Sequence, residues 1–492
     1  MTGPRPPADR VVLCVFDGLR PDFVTPERMP NLTRFAGQGT WFREARSVFP
    51  SMTRVATTAM ATGAHPRVHG IVGNAFYFPQ ATRSHVLDLG RWDDVSLAVQ
   101  ATGGRFVTAE PMGDVLARAS RRMAVVHTGS AGAAYLINPH ARDNGHWTLS
   151  ILGREHGGTP EAVDAMIARF GPLPPRRLPR FEETDYAERV FREHVLETLK
   201  PDVALIWFNE PDTAFHYRSL GSPETLEVLR TVDDAFGRIV TWVDAQPDAD
   251  RYTVIAASDH GQITMRDALP LCDLLRGAGH VGRRGVERTL DGARFVMTGG
   301  NMGEIRILEG GAARRDAIAR WLMAQSFTGM VFTRGGDGIA GEVPGTFSLS
   351  LVDLDHARAP DLVFVLRSDD GPDPFGNPGL GLMTECDVPV GGGMHGGLNR
   401  YELNTTLILR GAGLPAGVID RRPSGIIDIA PTVLATLGLP PAATMTGRSL
   451  LDPAAESEAP RIYETGLGCF RQRLASAERN GSRILLHGGR VD

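Results

Sequence analysis

Val11-Val12-Leu13-Cys14-Val15-Phe16-Asp17 is an apolar run that ends directly in a carboxylate, and this pattern is the main evidence for the fold. Three further apolar runs also border residues of metal-ligand type. They are residues 203–208, followed by Asp212 and His216; residues 253–258, followed by Asp259 and His260; and residues 405–409, preceded by His395. Continuous apolar runs of this length are typical of buried parallel strands. Since open α/β sheets bind ligands beyond the carboxyl ends of their strands, the runs predict one site at one sheet edge.

The segments between these runs have helical spacing. Apolar residues recur at helical intervals in residues 186–199 and 224–243, which lead directly into the runs at 203 and 253. A further helix is predicted at residues 54–62, beginning near Thr53 and closed by Gly63. Alternating strands and helices indicate a parallel sheet covered by helices. The expected fold class is therefore α/β, a three-layer α/β/α sandwich with a mostly parallel central sheet.

The spread of the candidate ligands indicates how the domains are organised. They extend from Asp17 to His395, which favours one large catalytic domain with insertions over several separate domains. The region between His260 and His395 differs in pattern, with strand-like stretches at 294–297, 304–308 and 347–351 and a helical stretch at 314–324. We expect an inserted α+β cap subdomain at residues 266–384, above the site. The catalytic core would then comprise residues 1–265 and 385–492.

Composition excludes several classes of function. The chain has 492 residues and a formal net charge of -5, with no basic stripe, so binding to a nucleic-acid polymer is not expected. Lys200 is the only lysine, which excludes mechanisms that need a pair of lysines on the substrate. The four cysteines are scattered and lack zinc-finger spacing. No apolar run has the length of a signal or membrane-spanning segment, so a cytoplasmic protein without membrane association is expected.

The candidate ligands are suited to two metal ions. Asp212 and His216 are four residues apart, so on a helical turn they share a face and could bind one ion. His395 could complete three protein ligands and leave an open position, as in catalytic zinc sites. Asp17, Asp259 and His260 could hold a second ion. Two ions about 3.5–4 Å apart form the clamp that is used in phosphoryl transfer.

Thr53 is the candidate nucleophile of such a site. It opens a predicted helix, where free backbone N–H groups and the helix dipole favour a phosphate. Coordination to a metal would lower the pKa of its hydroxyl and make it a usable nucleophile. Arg54 could reach the phosphate with its planar donors. Each residue taken alone also fits a structural role, such as a helix cap, a turn or a surface ion pair. The combination at successive strand ends is what favours a catalytic site.

At these residues the chain resembles the alkaline phosphatase superfamily, and within it the branch of type I phosphodiesterases and nucleotide pyrophosphatases. The resemblance covers most of the chain, and its motifs are specific as a set. They are Phe16-Asp17-Gly18-Leu19-Arg20-Pro21-Asp22, Phe49-Pro50-Ser51-Met52-Thr53, Gly70-Ile71-Val72-Gly73-Asn74, Asn209-Glu210-Pro211-Asp212, Ser258-Asp259-His260-Gly261 and Met394-His395-Gly396.

The resemblance implies a detailed site. It implies two zinc ions, or other divalent metals, in the two groups described above, with the Thr53 oxygen as a further ligand beside Asp17, Asp259 and His260. It implies that Thr53 attacks the phosphorus and forms a phosphothreonine, which water then hydrolyses. Asn74 matches the asparagine that contacts a phosphate oxygen in this branch. The resemblance also implies a mostly parallel sheet between helical layers, with a cap subdomain between the last ligands.

One departure from the family pattern concerns the substrate. Nucleotide pyrophosphatases usually follow the nucleophile with Phe-Pro-Asn, and the phenylalanine helps hold the nucleobase. This chain has Arg54-Val55-Ala56 there, so Arg54 is expected to contact an anionic substrate group instead. The predicted function is a two-metal phosphodiesterase that acts on a small phosphate ester, with a nucleotide as one candidate. The alternatives are a phosphomonoesterase or phosphonate hydrolase on the same scaffold, and a catalytically inactive metal-binding recognition protein.

Overall fold

The computed structural model describes residues 7–156, 159–336, 338–452, 459–479 and 481–491. In these ranges, the largest sheet has eight strands. Their order from one edge to the other is Val418–Asp420, Thr40–Phe42, Leu407–Arg410, Tyr252–Ala257, Arg10–Phe16, Val203–Phe208, Met123–His127 and Trp147–Ser150. Leu407–Arg410 runs antiparallel to both of its neighbours, and every other pair is parallel. The predicted mostly parallel central sheet is confirmed.

Both faces of this sheet are buried. Along Arg10–Phe16, alternate side chains enter two different hydrophobic cores, as expected for the two-residue period of a strand. One core packs against the helices Thr53–Thr62, Trp92–Ala101, Met112–Arg118, Ala131–Leu136 and Ile429–Thr436. The other packs against the helices Pro30–Gln38, Pro160–Phe170, Phe181–Val190, Asp212–Arg218 and Pro223–Asp244. The molecule therefore has the predicted α/β/α layers.

The helix that begins at Thr53 has the predicted limits. It spans Thr53–Thr62, and Gly63 follows it in the left-handed conformation, with φ of 58°. A glycine at this position ends a helix without the steric cost that a side chain would add. The helical region predicted at 186–199 is longer, because Phe181–Val190 continues into a π-helix over Phe191–Leu199.

A second sheet, which we call the cap sheet, lies within the region predicted as the cap. Its strands in spatial order are Gly282–Arg284, Phe295–Met297, Met302–Ile307, Leu362–Leu366, Thr328–Thr333 and Phe347–Ser348, and the helices Leu271–Gly277 and Gly311–Met323 pack in its core. The strand predicted at 347–351 was wrong beyond Ser348. The Ser348 hydroxyl accepts a hydrogen bond from the Ser350 N–H, and this local bond starts the 3-10 helix Leu349–Val352.

A smaller sheet joins the cap region to the core. Its strands in order are Ser368–Pro372, Pro378–Thr384, Ile263–Leu269 and Gly393–Met394. This sheet crosses the sequence positions at which the cap was predicted to begin and end, so the boundaries of the cap at 266–384 stay a prediction.

The last sheet contains the C-terminal strands Arg461–Leu467, Phe470–Arg479 and Ser482–Arg490. It contacts the cap sheet through Gln472, whose side chain bonds both backbone polar groups of Val331. Short elements complete the described chain: the strand pairs Ala45–Arg46 with Ser424–Gly425 and Ala75–Phe76 with Leu87–Asp88, and the helices Pro66–His69 and Arg400–Leu403. Within the described ranges, no helix combines the length and apolar composition that crossing a bilayer requires.

Candidate active site

Most of the candidate ligands follow the carboxyl ends of three adjacent strands of the central sheet. Asp17 directly follows Arg10–Phe16, Asp212 opens the helix Asp212–Arg218 just after Val203–Phe208, and Asp259 follows Tyr252–Ala257 by one residue. The three strands are parallel neighbours, so their carboxyl ends meet at one edge. The side chains converge there although they are far apart in sequence.

His395 reaches the same edge by a different route. It directly follows the short strand Gly393–Met394, which pairs with Ile263 and Thr264 of the neighbouring strand. This pairing places His395 beside the segment that carries Asp259 and His260. The apolar run at 405–409 forms the antiparallel strand Leu407–Arg410, so its amino end, which follows the His395 segment, lies at the ligand edge of the sheet.

The first predicted ligand group is compact. Asp212 Oδ1 lies 3.3 Å from His216 Nε2 and 3.6 Å from His395 Nε2. One ligand atom from each of the three residues lies within 4.8 Å of the others, which is close enough for a shared cation. Asp212 and His216 lie on one turn of the same helix, so their side chains share a face, as their four-residue spacing predicted.

The second predicted group surrounds His260. Its Nε2 atom lies 3.2 Å from Asp259 Oδ2, 3.5 Å from Asp17 Oδ1 and 3.2 Å from Thr53 Oγ1. Ligand atoms of Asp17, Asp212 and His260 also lie within 4.8 Å of one another, so Asp212 lies between the two groups. The His260 and His395 rings stack with their centroids 3.6 Å apart. All seven residues predicted as ligands thus lie in one cluster, and their role as metal ligands stays a prediction.

Backbone carbonyl groups orient the three histidines. The Nδ1–H group of His216 donates to Gly393 O at 2.6 Å, that of His395 donates to Ser51 O at 2.8 Å, and that of His260 donates to Gly261 O at 3.1 Å. A carbonyl oxygen can only accept, so these bonds place a proton on Nδ1, and in the neutral imidazole the Nε2 lone pair can then coordinate a metal. Metal-bound histidines are commonly held in this way.

Two carboxylates of the cluster, Asp17 and Asp259, are in surroundings that disfavour their charged form. Burial raises the pKa of Asp17 well above its ordinary value, and the negative charges of Asp259 and Asp212 raise it further. Burial also raises the pKa of Asp259, with His260 opposing it. In the described ranges, Asp17 Oδ1 and Asp259 Oδ2 are buried without a hydrogen-bond partner. Because unpaired buried carboxylate oxygens are costly, the donor set fits a divalent cation.

Thr53 lies next to this cluster at the first position of its helix, and it is buried. The backbone N–H of Arg54 donates to Asn74 Oδ1 at 3.0 Å, so Asn74 satisfies one of the free N–H groups at the helix start. Its amide N–H groups remain available as donors toward the same helix end. The structure therefore brings Thr53, Asn74 and the backbone of Arg54 together, and the roles of these residues toward phosphate stay predictions.

The Arg54 side chain is half-buried. Among the described residues, its Nε atom is buried without a hydrogen-bond partner. Its Nη2 atom lies 2.9 Å from the position that a Cβ atom would take at Gly90, so the absence of a side chain at Gly90 leaves room for this approach. A guanidinium with a buried donor that lacks a partner could bind an acceptor-rich group.

Sequence reasoning missed several residues that position the candidate ligands. Gln262 Nε2 donates to Asp212 Oδ1 at 2.6 Å, and the Trp207 indole donates to Asp17 Oδ2 at 3.0 Å. The buried Arg20 guanidinium in turn donates to the Gln262 backbone at 3.0 Å. Trp207 gave no local signal, because it lies inside an apolar strand. Arg20 lies in the first motif, where an arginine inside an otherwise buried segment could have indicated such a role.

The comparison with protein families assigns the chain. The family model described as type I phosphodiesterase / nucleotide pyrophosphatase matches residues 11–337. The chain belongs to this family. The resemblance predicted from the motifs is thereby confirmed, and the matched region contains all of the candidate site residues except His395.

Two curated relatives show what the chain is similar to. Human ectonucleotide pyrophosphatase/phosphodiesterase family member 7 is 25% identical over 270 residues, which is 52% of this chain and 48% of the relative. The mouse bis(5'-adenosyl)-triphosphatase enpp4 is 32% identical over 265 residues, 52% of this chain and 47% of the relative. This family member thus spans about half the length of the curated relatives it matches.

Solved structures agree with the fold. Murine ectonucleotide pyrophosphatase/phosphodiesterase 5 superimposes with a TM-score of 0.59 and 16% identity, covering 88% of this chain and 96% of that chain. An inactive threonine-to-alanine variant of the same murine protein, in complex with AMP, matches with the same values. At this identity the likeness supports the fold alone.

Proposed function

We propose that this family member is a metal-dependent phosphodiesterase in which Thr53 is the nucleophile. One observation carries the proposal: Thr53 Oγ1 lies 3.2 Å from His260 Nε2, beside two groups of buried carboxylates and imidazoles. A hydroxyl at a helix start, next to a cluster that fits divalent cations, has the parts that phosphoryl transfer requires.

The donor set supports two zinc ions. Asp212, His216 and His395 would hold one ion, and Asp17, Asp259, His260 and the Thr53 oxygen would hold the other. Mixed nitrogen and oxygen donors suit zinc, and other divalent metals with the same ligand preference compete for such sites. When bound, the two ions lower the pKa of a coordinated hydroxyl and offset the negative charge of the phosphoryl group.

The residues of the chain supply the remaining steps. Thr53 Oγ1 forms a bond to phosphorus as the first alcohol leaves, which gives a phosphothreonine, and water then cleaves that ester. The backbone N–H groups at the start of Thr53–Thr62 face the phosphoryl oxygens. The Asn74 amide N–H donates to a non-bridging oxygen, since its carbonyl oxygen already accepts from Arg54. The burial of the ligand cluster keeps bulk water out.

A small phosphate ester is the proposed substrate, with a nucleotide as one candidate. The murine relative is described in complex with AMP, and enpp4 is named a dinucleoside triphosphatase. Arg54 replaces the phenylalanine that the family usually has after the nucleophile, so we propose that Arg54 contacts an anionic group of the substrate. The formal net charge of -5 argues against a nucleic-acid polymer.

The test compares Thr53→Ala with Thr57→Ala on bis(p-nitrophenyl) phosphate. Thr57 lies one turn further along the same helix, and its hydroxyl is buried without a partner among the described residues, so its loss should leave the site intact. We expect a loss of about a thousandfold or more for Thr53→Ala and less than about threefold for Thr57→Ala. Mass spectrometry of quenched wild-type protein should detect phosphate on Thr53.

The same assays distinguish the alternatives. Zinc near two equivalents, with turnover lost on chelation and restored by zinc, supports the proposed phosphodiesterase. Faster turnover of p-nitrophenyl phosphate than of the diester would indicate a phosphomonoesterase, and cleavage of a phosphonate would indicate a phosphonate hydrolase. Bound metal without turnover of any ester would favour a recognition protein. Activity that survives in Thr53→Ala would overturn the assignment of the nucleophile.

A further inference from the structure

A cavity of about 130 Å³ lies between the cap sheet and the loop that follows Asn74. Ala75 lines it from the core, and the apolar side chains of Leu269, Leu271, Val286 and Met297 line it from the cap region. Its two charged residues, Arg284 and Glu385, face each other with Nη1 and Oε2 3.7 Å apart. The interior is therefore mostly apolar, with the opposite charges close to each other.

Two parts of the cavity wall lie close to residues of the candidate active site along the chain. On one side, Ala75 directly follows Asn74. On the other side, the wall residue Gly299 precedes Gly300, where a Cβ atom would lie 3.1 Å from Met394 Cε. Met394 directly precedes His395. The wall of the cavity thus begins one residue after the candidate phosphate contact and reaches, through Gly300, the residue that precedes a candidate metal ligand.

Defined contacts hold both walls in place. Arg288 donates to the two oxygens of Asp94 at 2.8 and 2.9 Å, which fixes the segment after Gly282–Arg284 on the core. Gly285 packs against Val86, which lies 3.3 Å from the position of a Cβ atom there. On the opposite wall, the Gly300 N–H donates to Thr384 Oγ1 at 2.8 Å. The cavity therefore lies in the interface between the cap region and the core, and contacts across this interface hold its walls in place.

We propose that this cavity binds an uncharged, apolar group of the phosphate ester, of the size of one aromatic ring or a short branched alkyl chain. The proposal rests on the proposed function and specifies its substrate class. The volume of the cavity supports the proposal, since apolar protein cavities of about 150 Å³ bind benzene. Its lining supports it as well, because transfer of an apolar ring from water into such a space is favourable.

The test compares phenylphosphonate and methylphosphonate as inhibitors of the zinc-loaded chain of 492 residues. Both carry the same phosphonate group, and only phenylphosphonate has a ring that can enter the cavity. We expect phenylphosphonate to bind about tenfold more tightly or better. Equal inhibition constants would overturn the cavity proposal while leaving the phosphodiesterase intact. Absence of turnover with every ester would instead overturn the proposed function, and the cavity proposal with it.

A variant that fills the cavity provides the matched comparison. Cys386 is a free, exposed cysteine that lines the cavity, and Cys469 is a free, exposed cysteine in the C-terminal hairpin. We expect Cys386→Trp to weaken phenylphosphonate to the level of methylphosphonate and to leave methylphosphonate unchanged. Cys469→Trp should change neither constant. An unchanged preference for phenylphosphonate in Cys386→Trp would overturn the proposal.

Thiol alkylation gives a readout that is independent of turnover. In a Cys469→Ser background, Cys386 is the remaining exposed cysteine among the described residues. Phenylphosphonate should slow alkylation of Cys386 by N-ethylmaleimide severalfold, and methylphosphonate should not. Equal alkylation rates with the two phosphonates would show that the ring does not occupy the cavity.

Discussion

At the scale of the residue, Arg54 directly follows the candidate nucleophile and is proposed to contact an anionic group of the substrate. Its Nε atom is buried without a partner among the described residues, and a buried donor without an acceptor is costly. We expect Arg54→Ala to lower kcat/KM for ATP, which carries further phosphoryl groups, by about 10- to 100-fold, the loss expected for charge-assisted hydrogen bonds. Turnover of bis(p-nitrophenyl) phosphate should fall less than about threefold. The exposed Arg91 serves as the control, and Arg91→Ala should affect neither substrate. Equal losses on both substrates, or none on ATP, would contradict the proposed contact.

At the scale of the element, the helix Thr53–Thr62 depends on the glycine that ends it. Gly63 has φ of 58°, and a Cβ atom there would lie 3.0 Å from Pro431 Cδ. We expect Gly63→Ala to lower the free energy of unfolding by about 1–3 kcal/mol, because alanine is strained in the left-handed region and meets Pro431. Gly37 in Pro30–Gln38 is the matched control, since it is exposed and has no atom within 4 Å of its Cβ position. Gly37→Ala should raise stability by about 0.5–1 kcal/mol. Urea unfolding checks both signs, and a neutral Gly63→Ala would refute the account.

At the scale of the whole molecule, the cap sheet docks on the core through a buried carboxyl group. Glu304 Oε1 lies 2.5 Å from the Cβ position of Gly73, next to Asn74, and burial raises the pKa of Glu304 to about 8, with Arg306 opposing. The folded protein therefore keeps a proton that the unfolded chain releases near its ordinary pKa of 4.5. The contribution of Glu304 to the free energy of unfolding is fully present below the pKa that Glu304 has in the unfolded chain. This contribution is lost as the pH rises toward 8, by up to about 1.4 kcal/mol per pH unit.

Glu304→Gln removes this titration. We expect the variant to gain stability relative to wild type as the pH rises from 5 to 8, measured by urea unfolding across that range. Glu309→Gln is the control, because the Glu309 side chain is 67% exposed and should leave the pH dependence unchanged. Parallel pH profiles for wild type and Glu304→Gln would show that the carboxyl group is not held protonated in the folded protein.

The sequence was sufficient for most of the elements that depend on local pattern. Apolar runs identified the strands that precede Asp17, Asp212 and Asp259, and parallel pairing then required their ends to meet at one edge. The helix at Thr53 followed from its composition and from Gly63. The motifs identified the family. The prediction of a strand at 347–351 was wrong beyond Ser348. Alternating apolar residues can be buried in a turn as well as in a strand, and here the local hydrogen bond at Ser348 starts a 3-10 helix.

The tertiary structure alone decided how the residues meet. The position of Asp212 between the two ligand groups, the carbonyl partners of the three histidines and the indole bond to Asp17 all join segments that are distant in sequence. The apolar cavity beside Asn74 likewise exists only because the cap region docks on the core. Periodicity reports which face of an element is buried, and it carries no information about the partner that buries it. Those partners are set by the packing of the whole chain.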